Sequence, residues 1–146
     1  DEPMININDV KNLHKQAISN KSKIATLACE IKNEIMLNKK DIVKVITEEK
    51  LSKNSISKAK KFLRKVLKNN QENVYHHIGI YLYKVSILEK FVNLKQTKNE
   101  ISQKLEQLRA MENNISIDVN LANSSPIGVD TKEDYLEIKK LMEYKN

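Results

Sequence analysis

The sequence predicts an α/β layer fold, because segments with the two-residue period of strands alternate along the chain with segments that have the period of helices. The strongest strand pattern covers residues 74–83, which are mainly β-branched and aromatic, with one glycine and no proline. The length of 146 residues is that of one domain, and a hydrophobic content of 40% is sufficient for a core.

The strand predicted at 74–83 has two chemically different faces. Because successive strand residues point to opposite sides, four aliphatic residues share one face with His76. The other face carries rings and heteroatoms, namely Tyr75, His77, Gly79, Tyr81 and Tyr83. This pattern is typical of a strand that forms the floor of a polar site, where Gly79 would permit close approach of a ligand or another backbone. An ordinary half-buried strand with aromatic pairs is the alternative.

The remaining elements follow from the hydrophobic period. Helices are predicted over 9–19, with Asn8 as N-cap, over 85–94, over 99–113, and from Thr131 onward, where Asp134 completes a capping-box-like start. Strands are predicted over 24–31, 42–47 and 115–121, and a loop over 123–128.

The segment 51–70 is ambiguous. Four apolar residues repeat there with helical period, and this alone predicts a basic amphipathic helix. Its lysines are Lys53, Lys58, Lys60, Lys61, Lys65 and Lys68. Such a helix could bind nucleic acid or a membrane surface, whereas the simpler interpretation is a solvated lysine face.

The composition limits the function classes. The formal net charge of +7, from 26 basic and 19 acidic residues, suits partners that carry phosphate. Cys29 is the only cysteine, so an internal disulfide is impossible, which suits a reducing compartment. No apolar run has the length of a membrane span and no signal peptide is visible, so a cytoplasmic protein is predicted. The opening Asp1-Glu2-Pro3, without an initiator Met, predicts a chain that begins inside a domain.

The chemistry is not carried by a common short motif. Phosphate-binding loops, dinucleotide fingerprints, Cys/His metal clusters and GxSxG are all missing from the sequence. His76 and His77 are adjacent on a strand and so point to opposite faces, which excludes a shared metal. Asp1 and Asp130 occupy loop positions where two carboxylates could share one Mg²⁺, an ion that prefers oxygen ligands.

Six blocks resemble the C-terminal part of the CMP-KDO synthetase family (3-deoxy-manno-octulosonate cytidylyltransferases), in that family's order. They are Asp1-Glu2-Pro3-Met4-Ile5, Ala25-Thr26-Leu27-Ala28, Val43-Lys44-Val45, His77 to Tyr83, Leu105-Glu106-Gln107-Leu108-Arg109 and Gly128 to Asp134. The resemblance implies a three-layer nucleotide-diphospho-sugar transferase-like fold with a mixed sheet, whose N-terminal nucleotide-binding part is missing. Residues 1–146 would then be a single C-terminal fragment of a cytidylyltransferase domain.

The resemblance also implies an activity and its residues. In this family CTP is coupled to 3-deoxy-manno-octulosonate, which gives CMP-sugar and pyrophosphate for lipopolysaccharide synthesis. The metal ligands would be Asp1 and Asp130, which hold Mg²⁺, and the sugar acid would contact His77, Glu106 and Gln107. Family members are typically dimers, so a homodimer without nucleic-acid or membrane partners is expected.

Departures from the family pattern limit the expected activity. The phosphate-gripping loop of the N-terminal third is absent, and Lys58 stands where the family has an arginine that suits a sugar carboxylate better. Lys132 and Lys104 replace a proline and a serine. We therefore expect the chain alone to be inactive. The alternatives are a product of a split or decaying gene, and a basic nucleic-acid-binding module.

Overall fold

The computed structural model describes residues 3–31, 34–66, 72–123, 129 and 132–143. In chain order, the elements are α1 (Ile7–Ser19), β1 (Ile24–Cys29), α2 (Glu34–Asn38), β2 (Lys44–Thr47), β3 (Ile56–Leu63), β4 (Val74–Tyr83), α3 (Val85–Val92), α4 (Lys98–Gln103), α5 (Gln107–Glu112), β5 (Ile117–Leu121) and α6 (Lys132–Glu143). Among these described residues, no helix is long and apolar enough to cross a membrane.

The sheet is mixed, as predicted. Its strands are hydrogen-bonded in the order β1-β4-β2-β3-β5, and β5 returns to β1, so that the sheet closes on itself. The β1–β5 pair is parallel, and the other four pairs are antiparallel. Closure brings the early strand β1 between β4 and β5, which lie much later in the chain.

Strand β4 has the bounds that its pattern predicts and is central to the sheet. Residues 74–76 pair with β2, and residues 76–78 and 81–83 pair with β1. The β1–β4 register is irregular, because Thr26 lies opposite Tyr81 whereas the next residue, Leu27, lies opposite Ile78. Gly79 and Ile80 therefore have no opposite residue, which is the arrangement of a bulge.

The two faces of β4 pack in different clusters, as the alternation predicts. Ile78, Ile80 and Leu82 join a cluster beneath α1 that includes Leu13 and Ala17. On the other face, Tyr75, Tyr81 and Tyr83 join the larger cluster, which also contains Phe62 and Phe91. A Cβ built on Gly79 would meet no atom within 4 Å, so no other backbone of the described chain approaches this glycine.

The amphipathic helix predicted for 51–70 is wrong. Residues 56–63 form β3, which pairs with β2 on one side and with β5 on the other. Ser57 and Phe62 are buried, whereas Lys58, Lys60 and Lys61 are exposed. Pairing with two neighbours outweighs the local helical period, which the sequence of this segment alone does not reveal. Residues 67–70 lie outside the described part.

Two helix predictions need correction. The helix predicted over 99–113 is two helices, because Lys104 adopts a left-handed conformation with φ 53° that ends α4. Ile101 is consequently 60% exposed, whereas Leu105 is buried. The N-cap of α1 is Asn6 rather than Asn8, since the Asn6 side chain accepts a hydrogen bond from the Asn8 backbone N–H at 2.9 Å.

Candidate active site

A row of rings runs along one face of β4. The ring centroids of His77 and Tyr81 are 5.4 Å apart, and those of Tyr81 and Tyr83 are 6.1 Å apart. The row continues to Phe91 of α3, whose ring lies 5.7 Å from that of Tyr83. Strand alternation assigns His77, Tyr81 and Tyr83 to the polar face of β4. His77 and Phe91 are buried, and the two tyrosines are half-buried.

His77 is held from several sides at the start of this row. Its Nε2 lies 3.0 Å from Thr26 Oγ1, and its backbone N–H donates to the Val43 carbonyl at 2.9 Å. The Phe62 ring meets it edge-on at a centroid distance of 5.1 Å. Burial, with a smaller contribution from His76, lowers the pKa of His77 to about 3. The imidazole is therefore neutral at physiological pH.

Glu106 and Gln107 lie where α5 begins, just after the left-handed Lys104. The Glu106 side chain is exposed, whereas Gln107 is buried at 7% exposure. No side-chain hydrogen bond joins Gln107 to another residue within the described ranges. The amide atoms of Gln107 are not among the fully buried atoms of the described residues that lack a partner, so they reach the surface with unused hydrogen-bonding capacity. Gln107 is therefore suited to bind a polar ligand.

Tyr81 connects His77 with Glu106. Burial is the largest cause that raises the pKa of the Tyr81 phenol, followed by Tyr83 and then by Glu106. The negative charge of Glu106 thus disfavours deprotonation of the Tyr81 hydroxyl. The His77 ring contacts the same Tyr81 ring, because both residues lie on the same face of β4. The ring row that starts at His77 ends at Phe91, whose ring lies against the Arg109 guanidinium, and Arg109 contacts Glu106 at 3.3 Å. His77 and Glu106 therefore lie at the two ends of one series of contacts, and Gln107 follows Glu106 directly in the chain. A direct contact between His77 and either α5 residue is not observed among the described residues.

A buried ion pair supports the start of α5. Arg109 donates from Nε to Glu100 at 2.9 Å and forms a second bond to the same carboxylate. Its guanidinium lies 4.7 Å from the centre of the Phe91 ring and 3.3 Å from Glu106. Hydrogen bonding to Arg109 lowers the pKa of Glu100, and the same bond raises the pKa of Arg109. Both groups therefore remain charged, and α3, α4 and α5 are tied together beside the site.

An open cleft of about 510 Å³ lies next to Glu106. Its walls include Glu100, Lys104, Glu106 and Arg109, so both signs of charge are present. This volume is within the range of small-molecule sites. The cleft is therefore large enough for a sugar-sized ligand that contacts Glu106 and Arg109, whereas His77 and Gln107 do not line it.

The remaining residues that the sequence analysis singled out lie outside the described ranges or away from the row of rings. Asp1 and Asp130 lie outside the described residues, so the predicted Mg²⁺ site stays a prediction. His76 faces the opposite side of β4 from His77, with Nδ1 at 3.7 Å from Cys29 Sγ. Lys58 is exposed on β3. Thr26 takes part in the site although no signal in its own position indicated a role, because its partner His77 is 51 residues away in sequence. Arg109 belongs to one of the six family blocks, but no role was predicted for it, although its partners Glu100 and Glu106 are close in sequence.

Comparison with known proteins identifies the family. A sequence profile described as cytidylyltransferase matches residues 1–117. The chain belongs to the cytidylyltransferase family. It is 37% identical over 142 residues to a 3-deoxy-manno-octulosonate cytidylyltransferase of Bartonella bacilliformis, covering 97% of this chain and 58% of that protein. The same enzyme of Rickettsia canadensis is 41% identical over 104 residues, covering 71% of this chain and 43% of that protein.

Solved structures agree with this assignment. The structure of CMP:2-keto-3-deoxy-manno-octonic acid synthetase complexed with CTP superposes with a TM-score of 0.83 at 28% identity, covering 100% of this chain and 60% of that one. A UTP-bound UGPase from Acinetobacter baumannii, 11% identical with a TM-score of 0.62, shares the fold, over 93% of this chain and 44% of its own. The predicted resemblance and fold are thus confirmed, and the chain spans less than two thirds of the proteins that it matches.

Proposed function

We propose that this chain contributes the sugar-acid site of a 3-deoxy-manno-octulosonate cytidylyltransferase, which couples CTP to the sugar acid and releases pyrophosphate, for lipopolysaccharide synthesis. The observation that carries the proposal is the row of rings that runs from His77 to Phe91 and continues through Arg109 to Glu106, within a chain of this family. The prediction that residues 1–146 are one C-terminal fragment of a cytidylyltransferase domain remains part of this proposal.

The residues of this chain would bind and orient the sugar acid. In the reaction, its anomeric 2-hydroxyl attacks the α-phosphorus of CTP, and pyrophosphate leaves. Such phosphoryl chemistry depends mostly on positioning and on charge stabilisation. A neutral His77, a protonated Tyr81 and the unpartnered amide of Gln107 offer uncharged hydrogen-bonding groups for hydroxyls, and Glu106 offers an acceptor. Each group lies on a packed strand or at the start of a supported helix, which keeps its position.

A metal ion would complete the site. Asp1 and Asp130 would hold Mg²⁺, because carboxylate oxygens are the ligands that this ion prefers. When bound, Mg²⁺ neutralises negative charge on the phosphates of the nucleotide. The remaining part of the family's length is expected to grip the CTP phosphates and read the base, so the chain by itself is expected to be inactive.

A pyrophosphate-release assay tests the proposal. It uses CTP, the sugar acid and Mg²⁺, first with this chain alone, and then with the N-terminal segment of the Bartonella relative added in trans. We expect turnover only on mixing, because orientation and charge stabilisation supply most of the rate. Turnover by this chain alone would contradict the expected inactivity. Silence in both arms would favour the product of a decaying gene.

The proposed assembly is a homodimer in the cytoplasm. Helix α3 exposes three apolar residues with helical spacing, and they are Val85, Leu88 and Val92. An exposed apolar stripe of this kind is suited to contact a second copy of the chain. The cytoplasmic location is supported by a single cysteine, which is buried. A nucleic-acid partner has little support, because the lysines of 56–63 lie on a strand paired on both edges.

A further inference from the structure

Thr26 lies in the middle of β1 and is completely buried, yet it is polar. Its hydroxyl has three neighbours within hydrogen-bonding distance. Oγ1 is 2.7 Å from the Ile80 carbonyl oxygen, 3.3 Å from the Ile78 carbonyl oxygen and 3.0 Å from His77 Nε2. A residue of β1 thus links the His77 ring to the backbone of β4 at its irregular segment.

The hydroxyl has one proton to donate, whereas a carbonyl oxygen can only accept. The shortest of the three distances assigns that proton to the Ile80 carbonyl. The contact with His77 then needs a donor on the ring side, so Nε2 must carry a hydrogen that it donates to Thr26 Oγ1. Because the buried ring is neutral, its other nitrogen, Nδ1, has no hydrogen and is an acceptor.

The bulge explains why this arrangement occurs here. Gly79 and Ile80 have no opposite residue on β1, so the Ile80 carbonyl is available to a side chain instead of the ladder. Thr26 stands opposite Tyr81, directly beside this interruption. A regular ladder would pair the carbonyl with a backbone N–H and would leave the Thr26 proton free to be donated to the ring.

We propose that Thr26 is a positioning residue that holds His77 in the Nε2–H tautomer, so that Nδ1 accepts a hydrogen bond from a hydroxyl group of the sugar acid. The inference rests on the proposed function for the identity of the ligand alone. Within the described residues, Nδ1 has no hydrogen-bond partner. Among the described residues, Asp118 Oδ1 is the fully buried side-chain polar atom that lacks a partner. His77 Nδ1 also lacks a partner but is not fully buried, so it is accessible to solvent.

The tautomer determines which part of the ligand His77 recognises. An unprotonated Nδ1 accepts a hydrogen bond from a hydroxyl group. It repels a carboxylate, because Nδ1 and the carboxylate are both acceptors and neither has a hydrogen to donate. With the opposite tautomer, Nδ1–H would favour the carboxylate. Thr26, which does not reach the ligand in this arrangement, thereby selects a hydroxyl as the partner of His77.

The first experiment measures the tautomer without any substrate. Long-range ¹H–¹⁵N spectra of the ¹⁵N-labelled chain separate a protonated ring nitrogen from an unprotonated one. We expect a protonated Nε2 and an unprotonated Nδ1 for His77, in contrast to a freely exchanging exposed His14. An Nδ1–H tautomer of His77 would overturn the proposal, because Thr26 would then donate to the ring.

Two variants separate positioning from packing. Thr26→Val keeps the shape and removes the hydroxyl, whereas Thr26→Ser keeps the hydroxyl and removes a methyl group. In Thr26→Val we expect His77 to populate both tautomers, and in Thr26→Ser we expect the original one. An unchanged tautomer in a folded Thr26→Val would overturn the role of Thr26. If Thr26→Val does not fold, Thr26→Ser tests the proposal by itself. Loss of the Nε2–H tautomer in Thr26→Ser, which keeps the hydroxyl, would also overturn the role of Thr26.

Ligand binding tests the second half of the inference. The mixture with the N-terminal segment is assayed for the Michaelis constants of both substrates. We expect Thr26→Val to raise KM for the sugar acid about tenfold, with KM for CTP unchanged, and Thr26→Ser to restore it. Equal effects on both substrates would overturn the positioning role. If the mixture releases pyrophosphate but the sugar acid leaves the His77 signals unchanged, the hydroxyl assignment is overturned and the proposed function stands. Absence of pyrophosphate release on mixing would instead count against the proposed function.

Discussion

At the scale of single residues, His77 combines a polar ring with an almost completely buried position. Because its pKa falls to about 3 in the folded chain from 6.5, the unfolded chain binds more protons below pH 6.5. The stabilisation is therefore complete above pH 6.5 and is lost as the pH falls toward 3. We expect the free energy of unfolding to decrease by about 1.4 kcal/mol per pH unit for this group.

Urea unfolding between pH 7.5 and pH 5.5 measures this effect. Burial also lowers the pKa of His76, with a smaller contribution from Lys44, so the two histidines act in the same direction. His77→Gln should reduce the slope, and the matched control His14→Gln, at an exposed position, should leave it unchanged. A slope that does not differ between these two variants would contradict a neutral, buried His77.

Gln107 supplies a second prediction at this scale. Because its amide has no partner among the described residues, Gln107→Ala should raise KM for the sugar acid about tenfold, by removing a ligand hydrogen bond worth about 1.4 kcal/mol. Pyrophosphate release by the mixture with the N-terminal segment gives the measurement. Gln103→Ala, on the neighbouring helix α4, is the control. Unchanged KM and turnover in Gln107→Ala would remove this residue from the sugar site.

At the scale of elements, the start of α5 depends on the Arg109–Glu100 pair. Removing one partner leaves a buried charge without its counterion, so Arg109→Ala should lower the free energy of unfolding by about 3–5 kcal/mol. Arg109→Lys should recover only part of it, because an ammonium cannot form the two-bond contact. Chemical denaturation measures both variants.

An exposed ion pair on α6 provides the matched control. Lys139 and Glu143 are 3.8 Å apart, with side chains 55% and 64% exposed. Lys139→Ala should cost less than about 1 kcal/mol, since water screens this pair. Similar losses for Arg109→Ala and Lys139→Ala would show that burial of the α4–α5 pair carries no special weight.

The elements also differ in how far their sequence predicts them. Strand β4 follows from its own residues, because aliphatic residues alternate with rings and Gly79 over 74–83, with His76 as the exception. Strand β3 does not, since its apolar residues have helical spacing and its conformation depends on pairing with β2 and β5. The break at Lys104 is equally hidden, because a lysine in a left-handed conformation carries no turn signal.

At the scale of the whole molecule, the site joins parts of the chain that are far apart in sequence. Alternation on β4 predicts that His77 and Tyr81 share a face, but the approach of Glu106 from α5 depends on how α3, α4 and α5 pack. The family resemblance supplied that grouping in advance, and the residues alone did not. Thr26 was missed altogether, because an isolated threonine in an apolar strand is ordinary until its partner across the sheet is known.

Association of two copies is the last prediction, and it depends on the α3 stripe of Val85, Leu88 and Val92. These side chains are 72%, 42% and 63% exposed, although helical spacing places them on the same side of α3 as Phe91. Phe91 alone of these four is buried. An apolar stripe that the folded chain leaves uncovered would gain free energy by burial against another copy.

Replacing Leu88 and Val92 by lysine should therefore raise the dimer dissociation constant at least tenfold, equivalent to about 1.4 kcal/mol or more, because charges would enter an apolar contact. Sedimentation velocity over a concentration series measures the constant. The control is Leu136→Lys on α6, a leucine that is 47% exposed outside the stripe. A monomer at all concentrations, or equal dissociation constants for the α3 variant and the unchanged chain, would refute this contact. Weaker association of the α3 variant alone would identify α3 as the dimer surface.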